Sequence, residues 1–183
     1  MTSPADTSLL GRYQQHRTRQ FLKQEDQFRT WLPGWRTQAR RRVLVVVLAA
    51  TFAFVFAVGV VCLFDMIVGP LLWLVAVAIF LPTWTILQIV SGRQSDAPRD
   101  ALDEWEIQQR NSARSIGLTV TQVLTIFPAI FLVASAAFES SGRASTYAGG
   151  LWVLTTLIIG GCTPAMILAW TRPDPEPEDA TER

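Results

Sequence analysis

Residues 42–64 read RVLVVVLAATFAFVFAVGVVCLF, an arginine followed by an unbroken uncharged run. A helix rises ~1.5 Å per residue, so about 20 such residues cross the ~30 Å hydrocarbon layer of a bilayer. A buried helix of a water-soluble core can be equally apolar, so this run alone does not decide the fold. Three further runs do: PLLWLVAVAIFLPTWTILQIV (70–90), IGLTVTQVLTIFPAIFLVASAAF (116–138) and GGLWVLTTLIIGGCTPAMILAW (149–170). The chain has 183 residues, 50% of them hydrophobic and only 17% charged, and the charges lie almost wholly outside these runs. Four such rods in so short a chain predict an all-α, four-helix transmembrane bundle. Its spans are 43–64, 70–90, 115–138 and 149–170.

The first run is expected to stay as an anchor. A cleaved signal places a basic patch and a ~7–15-residue apolar core at the start of a chain. Here the run is longer, lies behind residues 1–42, and carries bulky Phe52, Phe54, Phe56 and Phe64. A net charge of +1 conceals a strong asymmetry. Residues 1–42 hold nine basic side chains against three acidic ones, and the 91–114 connector adds Arg93, Arg99, Arg110 and Arg114. The opposite loops offer only Arg143. Basic flanks mark the cytoplasmic side of a plasma (inner) membrane, so both termini are expected inside. An even number of spans requires the same.

The arm 1–42 contains a helical pattern from Leu9 to Leu32, with Leu10, Tyr13, Phe21, Phe28 and Trp31 on one stripe. Arg12, Arg17, Arg19 and Lys23 surround it. Such a helix suits either an anionic cytoplasmic leaflet or packing against the bundle or a partner. Pro33-Gly34 ends it. Spans 1 and 2 are separated only by Asp65–Gly69, and spans 3 and 4 by ESSGRASTYA, so two antiparallel hairpins are expected. The tail 172–183, with its prolines and acids, is expected to be a disordered cytoplasmic extension.

Lipid supplies little hydrophobic drive between helices, so small residues and polar contacts must hold the bundle. Two four-residue-spaced faces qualify: Ala49-Ala53-Ala57 in span 1 and Gly161-Ala165-Ala169 in span 4. They suit packing within the chain or against another subunit. Gln88 and Gln122 fall at similar depths. An unpaired amide there is costly, so they are predicted to bond to each other or to a nearby threonine, or else to line a vestibule. The span threonines can return their hydroxyls to upstream carbonyls. Pro82, Pro128 and Pro164 predict kinks, while Asp65 and Glu139 cap outer ends. Cys62 and Cys162 lie at different depths, which argues against a disulfide.

The connector stretch ALDEWEIQQRNSAR (101–114) predicts an interfacial helix running into span 3. Trp105 would anchor at the membrane surface, and Glu106 and Arg110 lie one turn apart in the favourable order. Leu102, Asp103, Glu104, Glu106 and Arg110 together resemble an L-D-E-R-E-x-x-x-R stretch found before a span in small four-span actinobacterial membrane proteins of uncharacterised function. Trp105 replaces the usual arginine. The resemblance covers about nine residues and implies topology and phylum, with no activity attached.

Chemistry is sparse. The single histidine, His16, sits in the basic arm, and the connector acids do not share one helix face. No nucleophile triad, metal motif, phosphate loop or CxxC is present, so no catalytic, cofactor or metal residue is assigned. The arginines at 36–42 abut a span, which explains them without nucleic acid. The pattern therefore points to a non-enzymatic accessory or scaffolding subunit of a larger membrane complex. A small oligomeric transporter or channel for an apolar or lipid-like substrate is the alternative. The expected partners are the bilayer with its anionic cytoplasmic leaflet and other membrane subunits or further copies of the chain.

Overall fold

The computed structural model describes residues 37–91, 104–138 and 142–174. The arm with its amphipathic stripe, His16, Leu102, Asp103, Glu139 and the end of the tail lie outside the described residues. The described residues form four α-helices: α1 Gln38–Phe64, α2 Val68–Val90, α3 Glu104–Ala137 and α4 Arg143–Thr171. All four are long and apolar enough to cross a membrane. The chain is a multi-pass helical membrane protein.

The helices run past the apolar spans. α1 begins five residues before Val43, and α3 is continuous for 34 residues. At ~1.5 Å per residue α3 is roughly 50 Å long, so its charged first turns stand clear of the hydrocarbon. Pro82, Pro128 and Pro164 all lie inside helices.

The bundle is laid out as a row. Substantial packing joins α1 to α2, α1 to α4, and α4 to α3, giving the order α2–α1–α4–α3. Of the most apolar stretch of each helix, 33% of α1 and 44% of α4 is buried, against 11% of both α2 and α3. The outer pair therefore turn most of their surface to whatever surrounds the protein.

Two clusters make the core. One unites Leu44, Leu48 and Phe52 of α1 with Leu87 of α2 and with Cys162 and Ala169 of α4. The other joins Val58 and Cys62 to Ala148 and Leu151 near the opposite end. The two cysteines are buried, unbridged and in different clusters.

Glycine sets the closest approaches. A Cβ on Gly117 of α3 would stand 2.8 Å from Pro164 and 3.0 Å from the Gly160 carbonyl. A Cβ on Gly160 would run into Thr121. α3 and α4 thus pack backbone to backbone along Gly117, Thr121, Gly160 and Pro164. Close approach of this kind maximises dispersion contact where lipid offers no hydrophobic drive.

Candidate functional site

The polar side chains gather at one end, where α1 and α3 begin and α2 and α4 finish. A helix C-terminus leaves carbonyls without intrahelical donors and carries partial negative charge. Two such ends occur here, and arginines answer both. Arg41, only 2% exposed, donates through Nη2 to the carbonyls of Arg172 at 2.5 Å and Pro173 at 2.9 Å. Arg172 in turn donates through Nη1 to the Ser91 carbonyl at 2.8 Å, capping α2.

Asp174 completes the buckle. Its carboxylate accepts the backbone N–H of Gln38 in the first turn of α1 and lies 3.9 Å from Arg41 Nη2. A carboxylate is favoured at a helix N-terminus. Burial does most to disfavour the Arg41 charge, the neighbouring Arg172 adds to that, and Asp174 partly offsets it. Gln109 of α3 reaches Thr171 Oγ1 at 3.3 Å, and Arg42 stacks over the Trp170 ring at 5.1 Å. Residues 170–174, at the end of α4 and just past it, thereby touch α1, α3 and the C-cap of α2.

Sequence reasoning assigned Arg41 a topological role only, and Arg172 no role beyond opening the tail. The overlooked signal was position: each stands within the reach of a guanidinium from a helix end. Arg110 is only 3% exposed, whereas Trp105 on the same first turns of α3 is exposed. Glu106 is half-buried.

At the opposite end, Trp152 of α4 donates its indole N–H to the Phe56 carbonyl at 2.9 Å. Its ring stacks on Phe56 at 5.5 Å and meets Phe131 edge-on at 5.0 Å, with Phe127 also 5.5 Å away. Gly59 leaves room for the indole, because a Cβ there would strike it. This aromatic stack was not anticipated. Nearby, Asp65 accepts the N–H groups of Ile67 and Val68 at 2.8 and 2.9 Å. It caps the start of α2 as well as the end of α1, and those two bonds hold its carboxyl below the ordinary value.

The structure does not bring Gln88 and Gln122 together. They lie on α2 and α3, at opposite flanks of the row. Gln88 Oε1 is buried with no hydrogen-bond partner among the described residues, and Gln122 is exposed. The predicted pin between hairpins is replaced by the α1–α4 contact. The threonines behave as expected: Thr51, Thr83, Thr85, Thr121, Thr155 and Thr163 all return their hydroxyls to the carbonyl four residues back. Thr125 is different, lying 3.1 Å from Thr156 across the α3–α4 contact. The Thr156 proton points to the Val153 carbonyl, which leaves Thr125 as donor.

The two small-residue faces divide. Ala165 and Ala169 are buried, but a Cβ on Gly161 would meet nothing within 4 Å. Gly160, one residue away, makes the contact instead. Ala49, Ala53 and Ala57 are all exposed. Ala49 and Ala53 line a shallow apolar hollow of about 330 Å³ between α1 and α4, floored by Phe52, Phe56, Ile159, Thr163 and Met166. A second hollow of about 290 Å³ shares Thr163 and Met166 and continues past Val45 to Trp170. Among the described residues no group of histidines, cysteines or acids is placed to hold a metal. Comparison with protein-family models, with curated proteins and with solved structures finds no match to this chain.

Proposed function

We propose that this chain is a non-enzymatic accessory or scaffolding subunit of a larger membrane complex, built from two antiparallel hairpins. In this reading the arginine-bearing end and both termini face the cytoplasm, as the excess of basic residues there favours. Gln122 carries the proposal. Its side chain is exposed on α3, six residues beyond Ile116 and so roughly 9 Å along the helix. Lipid cannot satisfy an amide at that depth, and glutamines so placed hydrogen-bond across helix–helix contacts. No helix among the described residues packs closely on that face of α3 beyond α4, and a helix of another chain would supply the missing partner.

The scarcely buried flanks of α2 and α3 support the same conclusion. Purification in mild detergent followed by cross-linking tests it. A stoichiometric partner, or a second copy, is expected with the native chain and lost with Gln122→Leu. A monomer in both cases, or an assembly indifferent to Gln122→Leu, defeats the proposal.

A further inference from the structure

We propose that the groove between α1 and α4 holds one acyl chain of an anionic phospholipid from the leaflet at the arginine-bearing end, its phosphate on Arg42. The site is separate from the α3 flank, and its occupancy does not depend on what binds there.

Depth identifies the occupant. The two hollows share Thr163 and Met166 and form one trough, from Val45 and Trp170 down to Phe56 and Ile159. The ends of each of those wall segments are eleven residue steps apart, which is about 16 Å of helix. Half of a ~30 Å hydrocarbon layer is about 15 Å. The trough is therefore one leaflet deep. Beyond Phe56 the face is filled by the Phe56–Trp152–Phe127 stack. A helix of another subunit would run the full thickness and meet that stack; an acyl chain ends where the trough ends. The walls are apolar, since the two hydroxyls there, on Thr163 and Thr171, are bonded to their own helix at 2.7 and 2.9 Å.

Charge identifies the headgroup. Arg42 continues the helical face of Val45, Ala49 and Ala53, at spacings of three and four residues. It is exposed, with its guanidinium over the Trp170 ring at the mouth of the trough. Stacking uses the guanidinium face and leaves its in-plane N–H donors free for the paired oxygens of a phosphate. Arg41 beside it is turned inward to carbonyls, so Arg42 is the group that meets the lipid.

The test uses the full chain reconstituted in vesicles of equal parts phosphatidylglycerol and phosphatidylcholine, re-extracted in mild detergent, with retained lipid measured per chain by mass spectrometry. The native chain should retain a stoichiometric phospholipid, enriched several-fold in phosphatidylglycerol. Ala53→Phe and, separately, Ala49→Leu should fill the trough and abolish retention, while Ala57→Phe, outside it, should not. Arg42→Gln should bring the two headgroups to near parity. No retained lipid on the native chain, retention unchanged by both filling variants, or cross-linking of a second copy through Ala49→Cys or Ala53→Cys would each overturn the assignment. Because Gln122→Leu leaves the trough intact, it should strip the protein partner without changing lipid retention.

Discussion

Arg41→Ala should weaken the bundle more than any other single arginine replacement near the first span. The guanidinium is 2% exposed and makes two bonds to the carbonyls that end α4. Hydrogen bonds from a charged donor contribute about 1.5–3 kcal/mol each, so the pair supplies roughly 3–6 kcal/mol gross. Two terms work against this total. Arg172 repels Arg41, and a buried charge gives up hydration that its partners only partly replace. The contact with Asp174, at 3.9 Å to a side chain 59% exposed, adds less than about 1 kcal/mol. The net loss on truncation should be roughly 2–4 kcal/mol.

Arg42→Ala is the matched control. It removes the same charge from the same flank, so any effect on insertion is shared, yet in protein stripped of bound lipid it loses only an exposed cation–π contact of about 0.5–1 kcal/mol. Reversible unfolding by sodium dodecyl sulfate in mixed micelles, followed by far-ultraviolet circular dichroism, reads both. Arg41→Lys should recover part of the loss, since an ammonium keeps the charge but cannot fork to two carbonyls. If Arg41→Ala costs no more than Arg42→Ala, the end of α4 is not held by that guanidinium, and the buckle is wrong.

Gly160→Ala should force α3 away from α4, because the new Cβ would stand 2.6 Å from Thr121 Cβ and 3.1 Å from its Cα. A loss of about 1–3 kcal/mol is expected in the same titration, whereas Gly161→Ala should be neutral or stabilise by up to about 1 kcal/mol through helix propensity. Trp152→Phe removes the bond to the Phe56 carbonyl and part of the ring, so a loss of roughly 1–3 kcal/mol is expected, with a change in near-ultraviolet dichroism. Asp65 should contribute stability above the ordinary carboxylate value of 3.8 and lose it as pH falls through its depressed value. Asp65→Asn should flatten that acid limb, and an unchanged limb would remove Asp65 as its source. Ser145→Cys should react with an impermeant thiol reagent only from outside the cell; labelling from the cytoplasm would reverse the topology.

The four spans and their approximate limits were legible because twenty uncharged residues in succession have few other uses. The threonine hydroxyls were legible too, since their acceptor lies one turn back on the same helix. Gln88 and Gln122 were misjudged for a reason that applies to any membrane bundle. Equal depth is computed along each helix, but a bond also requires that the two helices be neighbours, and α2 and α3 are not. In a soluble bundle the apolar stripe would reveal the neighbours. Here every face of every span is apolar, so the order α2–α1–α4–α3 leaves no trace in periodicity.

Side-chain size carries the information that polarity cannot. Gly160 and Gly161 are chemically identical, and a search for four-residue spacing favours Gly161 because Ala165 and Ala169 follow it. The face that α4 turns to α3 is instead Thr156, Gly160 and Pro164, which meet Thr125, Thr121 and Gly117. That set also repeats every four residues, yet it mixes a hydroxyl, a glycine and a proline, and so matches no small-residue pattern. What unites its members is complementarity with α3: Gly117 admits the proline ring, Gly160 admits Thr121, and the two threonines are joined by a hydrogen bond. The contact is therefore a property of two helices read together. Exchanging its partners shows this: Gly160→Ala alone should separate the helices, while Gly160→Ala combined with Thr121→Gly should restore the fit sterically. The remaining deficit should be about 1 kcal/mol for a glycine placed within α3. A double variant no more stable than Gly160→Ala alone would mean that the clash with Thr121 is not what fixes the distance between α3 and α4.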